Sequence, residues 1–334
     1  MNVLLTKKFM PSDIEYLNAG LVEGITLLEP ADYNEAGILE KISSAQVLLG
    51  GMLSEPVIKA AEHIKLFQIP WTGVDNIDFD LLQKYRIDCV CNSHSNGTIV
   101  AEHALALYFS VAKKIAYHDA QLRNGNWNRV SPDGNEVSPF STTLSSKKTV
   151  LIGYGAVNRS IHKLLAGFEP QVSVVNRSGQ LTGASASVDV YGYKNILTAL
   201  DGADVVFVAV PLTKETNSLF NTRCFRSLNK NTILVNVARG SVIDEDALYT
   251  ALSSQLIYGA GIDTWYNYPK PGESTSTFPS SDSPFHELTN IVMSPHRAGY
   301  VDTGFPHLDD AIKNLNNIYK GEALVNHLSV EHRY

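Results

Sequence analysis

Cysteine is scarce in this chain: Cys89, Cys91 and Cys224 are the three among 334 residues. Their spacing matches no zinc site, and the first two alternate along an apparent strand. They read as buried packing thiols of a reducing compartment, which makes the cytoplasm the expected location. A basic run is also missing. With a formal net charge of −7, nonspecific nucleic-acid binding is excluded as a main role. The start, MNVLLTKKFMPSD, has a four-residue apolar core before two lysines. That is too short for a signal peptide or a membrane span, and it reads as a first strand. Repeats and low-complexity tracts do not stand out, and the Ser/Thr/Pro-rich segment from Gly272 to Pro284 is the one loop-like insertion. Glu102 and His103 lack a second histidine one turn on, so the pair reads as structural, and no metal is expected.

What is present is an ordinary globular composition, 44% hydrophobic and 18% charged, in a chain long enough for two cores. Its organising stretch runs from Lys147 to Ser178. The apolar run Thr149 to Ile152 leads into Gly153-Tyr154-Gly155. A helical pattern with Ile161, Leu164 and Leu165 follows, and then the β-branched run Val172 to Val175. Strand, glycine turn, helix and strand within about thirty residues make the layout of a dinucleotide-binding βαβ unit. Gly153 permits the tight turn. Gly155, with Ala156 and Val157 opening the helix, lets backbone N–H groups approach a pyrophosphate. The usual third glycine is absent, and Asn158 stands in its place.

The second strand also ends without a carboxylate. An NAD site usually carries Asp or Glu there for the adenosine ribose, whereas this chain has Asn176, Arg177 and Ser178. Arginine can pair with a 2′-phosphate, and Asn and Ser can add neutral hydrogen bonds. Arg177 could also be a surface residue of a turn. The expected cofactor is NADP(H), with NAD(H) the alternative.

Before this stretch, short apolar runs (Val3 to Leu5, Ile25 to Leu28, Val47 to Leu49, Leu66 to Ile69, Ile87 to Cys91) alternate with helical patterns. The helices are expected near Ser12 to Asn18, Glu35 to Ile42, Glu55 to Glu62 and Leu81 to Lys84. Such alternation predicts a parallel sheet covered on both faces, with ligands at the carboxyl ends of its strands. Two ends are marked by glycine, Gly50-Gly51-Met52 and Trp71-Thr72-Gly73, where backbone N–H groups could face a small anion or simply turn the chain. A long helix, apolar over much of its circumference, is expected from Ile99 to about Gly125, deeply buried or packed on another subunit.

Later strands end in the same way. Val205 to Val210 runs to Pro211-Leu212-Thr213, and Ile233 to Val237 to Ala238-Arg239-Gly240. The strand from Gly259 ends at Asp263, and Ile291 to Met293 leads to Ser294-Pro295-His296-Arg297. Arg239, Asp263 and His296 should therefore share one rim of the sheet. Arginine can grip a carboxylate bidentately, and histidine can exchange a proton with an oxygen as hydride moves.

Together these segments resemble the D-isomer-specific 2-hydroxyacid dehydrogenases. That family includes glyoxylate, hydroxypyruvate and phosphoglycerate dehydrogenases and the bacterial-type formate dehydrogenases. The matching segments are TGVDNID (Thr72 to Asp78), VAEHALAL (Val100 to Leu107), LRNGNW (Leu122 to Trp127), the GYG turn, VPLTKET (Val210 to Thr216), NVARGSVIDEDAL (Asn236 to Leu248), GAGIDTW (Gly259 to Trp265) and SPH (Ser294 to His296). The resemblance implies an α/β protein of two Rossmann-like or flavodoxin-like domains, each with a doubly wound parallel sheet, and a cleft between them for substrate. Residues 1–97 plus 300–334 would form the substrate domain, and residues 98–299 the dinucleotide domain. A homodimer through the dinucleotide domains is implied as well.

On the same resemblance, Arg239 binds the carboxylate and the 2-oxo oxygen, and His296 is the acid/base. Backbone N–H groups near Gly50-Gly51 and Thr72-Gly73 help to hold the carboxylate. Asp263 binds the nicotinamide carboxamide, Pro211 and Thr216 border the adenosine pocket, Ala238 belongs to the cofactor site, and Thr98 lies near the nicotinamide. Met52, Trp71, His94 and Tyr300 would shape the substrate pocket.

One position departs from the pattern. The family carries a Glu before a proline a few residues after the GIDTW strand, where this chain has Tyr268 before Pro269. A carboxylate favours the imidazolium of its histidine partner, whereas a phenol, neutral near pH 7, offers only a hydrogen bond. Either Tyr268 orients His296 in a 2-oxo acid reductase with an altered pH profile, or the chemistry has moved. The alternatives are a formate-dehydrogenase-like oxidoreductase, although those relatives carry Gln here, and a non-catalytic dinucleotide-binding regulator. Glu273, in the insertion, could replace the lost carboxylate. Arg297 is expected to be exposed and to open a helix.

Overall fold

The structure, a computed structural model, describes residues 1–127, 141–181, 188–269, 277–280, 282–302 and 304–331. The chain divides into two compact units, Met1–Asn96 with Val301–Tyr334, and Gly97–Tyr300.

The first unit begins with β1 (Asn2–Leu5), α1 (Pro11–Gly20), β2 (Thr26–Leu28), α2 (Glu35–Ile42) and β3 (Val47–Leu49). It continues with α3 (Glu55–Ala60), β4 (Leu66–Gln68), α4 (Phe79–Lys84) and β5 (Val90–Cys91). Polar caps start two of these helices: Asn34 accepts the N–H of Gly37, and Asp78 that of Leu81. Each such cap is worth about 1 kcal/mol. The strands β1, β3 and β4 are almost wholly buried and, apart from Asn2 and Gln68 at their ends, apolar, as strands covered on both faces must be.

The second unit holds α5 (Gly97–Ala112), α6 (Ile115–Arg123), β6 (Lys148–Ile152), α7 (Ala156–Leu165), β7 (Gln171–Asn176) and β8 (Asp189–Gly192). Then come α8 (Ile196–Leu200), β9 (Val205–Val208), α9 (Thr222–Ser227), β10 (Ile233–Asn236), α10 (Glu245–Ser253), β11 (Gly259–Ile262) and β12 (Ile291–Met293). The chain returns to the first unit with α11 (Pro306–Lys320) and β13 (His327–Leu328).

Among the described residues, the first sheet has the order β13-β5-β4-β3-β1-β2, parallel except for the antiparallel edge strand β13. The second has the order β12-β11-β10-β9-β6-β7-β8 and is parallel throughout. Both are doubly wound orders, flavodoxin-like in the first unit and Rossmann-like in the second, and each reverses direction beside its first strand. The expected fold class is observed.

Several boundaries differ from the expectations. The predicted helix from Ile99 to about Gly125 is two helices, because Lys114 takes a left-handed conformation (φ 54°) and breaks the hydrogen-bond ladder. Of the two, α5 buries Val100, Ala101, Ala104, Leu107, Tyr108 and Val111, while α6 buries no residue at all. The strand expected from Ile87 pairs only at Val90–Cys91. Cys91 and Cys224 are buried, but Cys89 is half-buried. Arg297 is exposed but opens a turn closed by Tyr300, not a helix. No helix among the described residues is long and apolar enough to cross a membrane. Glu273 lies outside the described residues.

Candidate active site

In the second unit, β9, β10, β11 and β12 are neighbours, so their carboxyl ends share one rim. Pro211 follows β9, Arg239 follows β10, Asp263 follows β11 and His296 follows β12. Short-range order holds the last three together. The side chain of Asn236 accepts the N–H of Ala238 at 3.0 Å and donates to the carbonyl of Arg239 at 3.1 Å, folding the Arg239 loop back on its strand. Gly240 lies directly against the backbone of Trp265, where a Cβ would come within 2.2 Å of the carbonyl oxygen. The Trp265 indole N–H in turn donates to the carbonyl of Ser294 at 2.8 Å. Loops carrying Arg239 and His296 are thus tied to the same stretch after β11.

Asp263 is the centre of this arrangement. It is 1% exposed, and its carboxylate accepts the N–H groups of Arg297 at 2.8 Å and Ala298 at 3.1 Å, while its carbonyl accepts the N–H of His296 at 2.8 Å. His103 of α5 approaches it through Nε2 at 3.4 Å and the Ser294 hydroxyl at 3.0 Å. Burial by itself would raise the Asp263 carboxyl. The hydrogen bonds from His103, Ser294 and the two backbone N–H groups outweigh burial and hold it below the usual carboxylate range. The sequence reads His103 as structural, and the structure uses it to brace Asp263 and Ser294, a partnership the sequence did not point to. The only sequence signal was its polar side chain on a helix with so many apolar neighbours.

His296 is half-buried and held at φ 56°, a conformation uncommon for a non-glycine residue and imposed by the bonds on either side of it. Tyr268 lies beside it, and its hydroxyl oxygen accepts the N–H of Trp265 at 3.0 Å. Arg239 is half-buried, and its guanidinium donates to the Ala238 carbonyl at 2.8 Å.

The dinucleotide-site candidates divide into two groups. Gly153 adopts φ +89°, and an added Cβ would meet the Ala209 carbonyl at 2.4 Å, so the turn demands glycine. Gly155 opens the ten-residue α7 without a side-chain cap, and nothing lies within 4 Å of where its Cβ would be. Uncapped N–H groups from Ala156 onward beneath an open glycine fit a pyrophosphate. Asn158, in place of the third glycine, is fully buried and donates to the carbonyls of Ile152 and Gly153 at 2.8 Å each, bracing the turn. Its Oδ1 has no hydrogen-bond partner among the described residues.

At the end of β7, the side chain of Asn176 accepts the N–H of Gly179 and donates to the Gln180 carbonyl, both at 2.7 Å. Ser178 is bonded into the same turn. Those two side chains build the turn, whereas Arg177 is exposed. Thr216, also buried, donates to the Pro211 carbonyl at 2.6 Å and shapes that loop from within. Thr98 is exposed near Ser160, at 3.4 Å.

In the first unit, the two glycine-marked ends follow β3 and β4, which are neighbours. The N–H of Gly50 is already donated to the Gln68 carbonyl at 3.0 Å. Gly51 packs against the Trp71 indole, where a Cβ would come within 2.4 Å of the ring. The Thr72 hydroxyl is 2.8 Å from the Ser93 carbonyl and 3.1 Å from Asn96 Oδ1, and Asn92 donates to the Thr72 carbonyl. Met52 is 70% exposed. The described residues contain no cluster of three or more His, Cys, Asp or Glu fit to hold a metal ion.

Known proteins resemble this chain in sequence and in fold. A D-3-phosphoglycerate dehydrogenase of Archaeoglobus fulgidus is 32% identical over 248 residues, which are 72% of this chain and 42% of that protein. A glyoxylate reductase of Thermofilum pendens is 28% identical over 291 residues, 84% of this chain and 80% of that one. The chain thus spans under half the length of the phosphoglycerate dehydrogenases of Archaeoglobus fulgidus and Arabidopsis thaliana. Among solved structures, the NADPH-dependent glyoxylate/hydroxypyruvate reductase of Sinorhizobium meliloti, in complex with NADP and malonate, superposes with a TM-score of 0.76 at 22% identity. It covers 99% of this chain and 97% of that one. D-lactate dehydrogenase of Lactobacillus jensenii, with NAD+, gives 0.76 at 22% over 98% and 100%. At that identity these two speak for the fold. Residues 105–298 match the model of the D-isomer specific 2-hydroxyacid dehydrogenase, NAD binding domain. With the glycine turn, the Rossmann order and the rim of Arg239, Asp263 and His296 in place, the chain belongs to this family of NAD(P)-dependent oxidoreductases.

Proposed function

We propose that the chain reduces a small 2-oxo acid to the D-2-hydroxy acid, and catalyses the reverse reaction, with NADP(H) as the preferred cofactor. The observation that carries this reading is the shared fastening of Arg239 and His296 to the stretch after β11, which supports their acting on one substrate. Arg239 binds the carboxylate and the 2-oxo oxygen through its planar fork. His296 holds the proton that the 2-oxo oxygen takes up on reduction, and receives it back on oxidation. When bound, the dinucleotide supplies or accepts the hydride. Gly153, Gly155, Ala156 and Val157 receive its pyrophosphate, and Arg177 pairs with a 2′-phosphate where NAD-preferring relatives place a carboxylate.

In the first unit the N–H of Gly51 is the better candidate for the carboxylate, since that of Gly50 is engaged. Tyr268 takes the position of the family Glu and orients the His296 ring. Asp263, with its carboxylate committed to the His296 loop, acts first as a positioning residue. Its role toward the nicotinamide follows from where it stands on the rim. A homodimer through the second unit is supported by α6, which leaves Ile115 57% and Leu122 55% exposed.

The test is NADPH and NADH consumption against 2-oxo acids from glyoxylate to phenylpyruvate. NADPH-dependent turnover of one or more is expected. Tight dinucleotide binding with no turnover of any of them would overturn the reading.

A further inference from the structure

Lys7 follows β1, the strand next to β3, at the end of the sheet where Gly50, Gly51 and Trp71 lie. Its Nζ sits 5.0 Å from the centroid of the Trp71 ring and 5.1 Å from that of Phe9. Gly51 packs against the same indole, and Thr6 Oγ1 abuts Gly50. Thr6 Oγ1 is buried without a hydrogen-bond partner among the described residues. No carboxylate among the described residues lies within ion-pair distance of Lys7. Asp13, whose charge reaches it, accepts the N–H of Met10.

Lys7 is an exposed residue, and the protein around it still desolvates the ammonium enough to push its pKa down. His307, at the start of α11, is also pushed down, mainly by burial and in part by the charge of Lys7. Two aromatic faces hold a cation in place while leaving its N–H donors unspent. Lys7 is thus an exposed cation with no carboxylate partner among the described residues, beside the loops proposed above for the substrate carboxylate.

We propose that Lys7 binds the far carboxylate of a dicarboxylic 2-oxo acid, making the protein selective for four- or five-carbon substrates with an anion at each end. This rests on the reductase reading above and narrows it. A single ammonium matches a monoanionic carboxylate. A phosphate dianion usually calls on an arginine fork or several donors together.

The test compares kcat/KM with NADPH for two pairs matched in chain length, oxaloacetate against 2-oxobutanoate and 2-oxoglutarate against 2-oxopentanoate. The wild type is expected to favour the diacid of at least one pair by about tenfold, as one charge-assisted hydrogen bond allows. Lys7→Met should bring that ratio near one, Lys7→Arg should keep most of it, and added salt should reduce it in the wild type. The proposal is overturned if the monocarboxylic acids are reduced as well as the diacids. It is also overturned if Lys7→Met, with an unchanged melting temperature, lowers both members of a pair equally. Either result leaves the reductase reading standing. Failure to turn over any 2-oxo acid, glyoxylate included, sinks that reading and this one with it.

Discussion

The ring of Tyr268 stands edge-on to the imidazole of His296, with centroids 5.7 Å apart and planes at 60°. The phenol oxygen accepts the N–H of Trp265 at 3.0 Å, so its position is set by the backbone of the loop. A neutral group therefore fills the place where the family has a carboxylate. Replacing it with Glu should favour the imidazolium. Reduction needs a protonated His296, so Tyr268→Glu should carry reductive kcat/KM to higher pH before it falls. A pH–rate profile of both proteins checks this, and an unmoved profile would show that residue 268 does not act on the histidine.

Tyr268→Phe removes the acceptor for the Trp265 N–H and should cost about 1 kcal/mol of stability, read from urea unfolding. If the ring contact alone orients His296, kcat should fall by less than about tenfold.

His296→Ala should lower kcat by about 10²–10⁴, the usual range for losing a general acid. Arg239→Lys keeps the charge but loses the planar fork, so kcat/KM should fall while dinucleotide affinity, measured by fluorescence titration, stays close to that of the wild type. Full turnover in His296→Ala would remove the histidine from the mechanism.

Asp263 links the site to stability. Its folded pKa lies below the ordinary value, so its charge stabilises the fold fully above the unfolded carboxylate pKa of about 3.9. That contribution fades as pH falls through the lower, folded pKa. Asp263→Asn should be less stable than the wild type near neutral pH, by on the order of 2 kcal/mol. The gap should narrow below about pH 4. Unfolding curves at pH 7, 5 and 3.5 measure it, and a gap that does not depend on pH would contradict the assignment.

Arg177→Ala should lower kcat/KM with NADPH by about ten- to a hundredfold more than with NADH, the value of a hydrogen bond to a charged group. Equal losses with the two cofactors would mean that Arg177 does not read the 2′-phosphate.

The alternation of apolar runs with helical periodicity settled the fold class from sequence, because strands buried on both faces must be apolar and helices packed on one side must be amphipathic. The glycine turn was legible for a similar reason: only glycine tolerates the conformation of Gly153 so close to the Ala209 carbonyl. Residues just past strand ends could be named as candidates because strand ends in such sheets form a common rim.

Tertiary structure alone decided which of their side chains are spent on the protein itself. Asn176 and Ser178 are absorbed by their own turn, and the Gly50 N–H by the neighbouring strand. The left-handed Lys114 gives no sign in the hydrophobic pattern, since apolar residues lie on both sides of the break. β13 pairs at His327 with Cys91, and its two residues are too few to carry a period. His103 reaches Asp263 and Ser294 across 160 and 191 positions of chain. A local pattern records which way a side chain faces its own element. The partner it meets there is fixed only when distant segments pack.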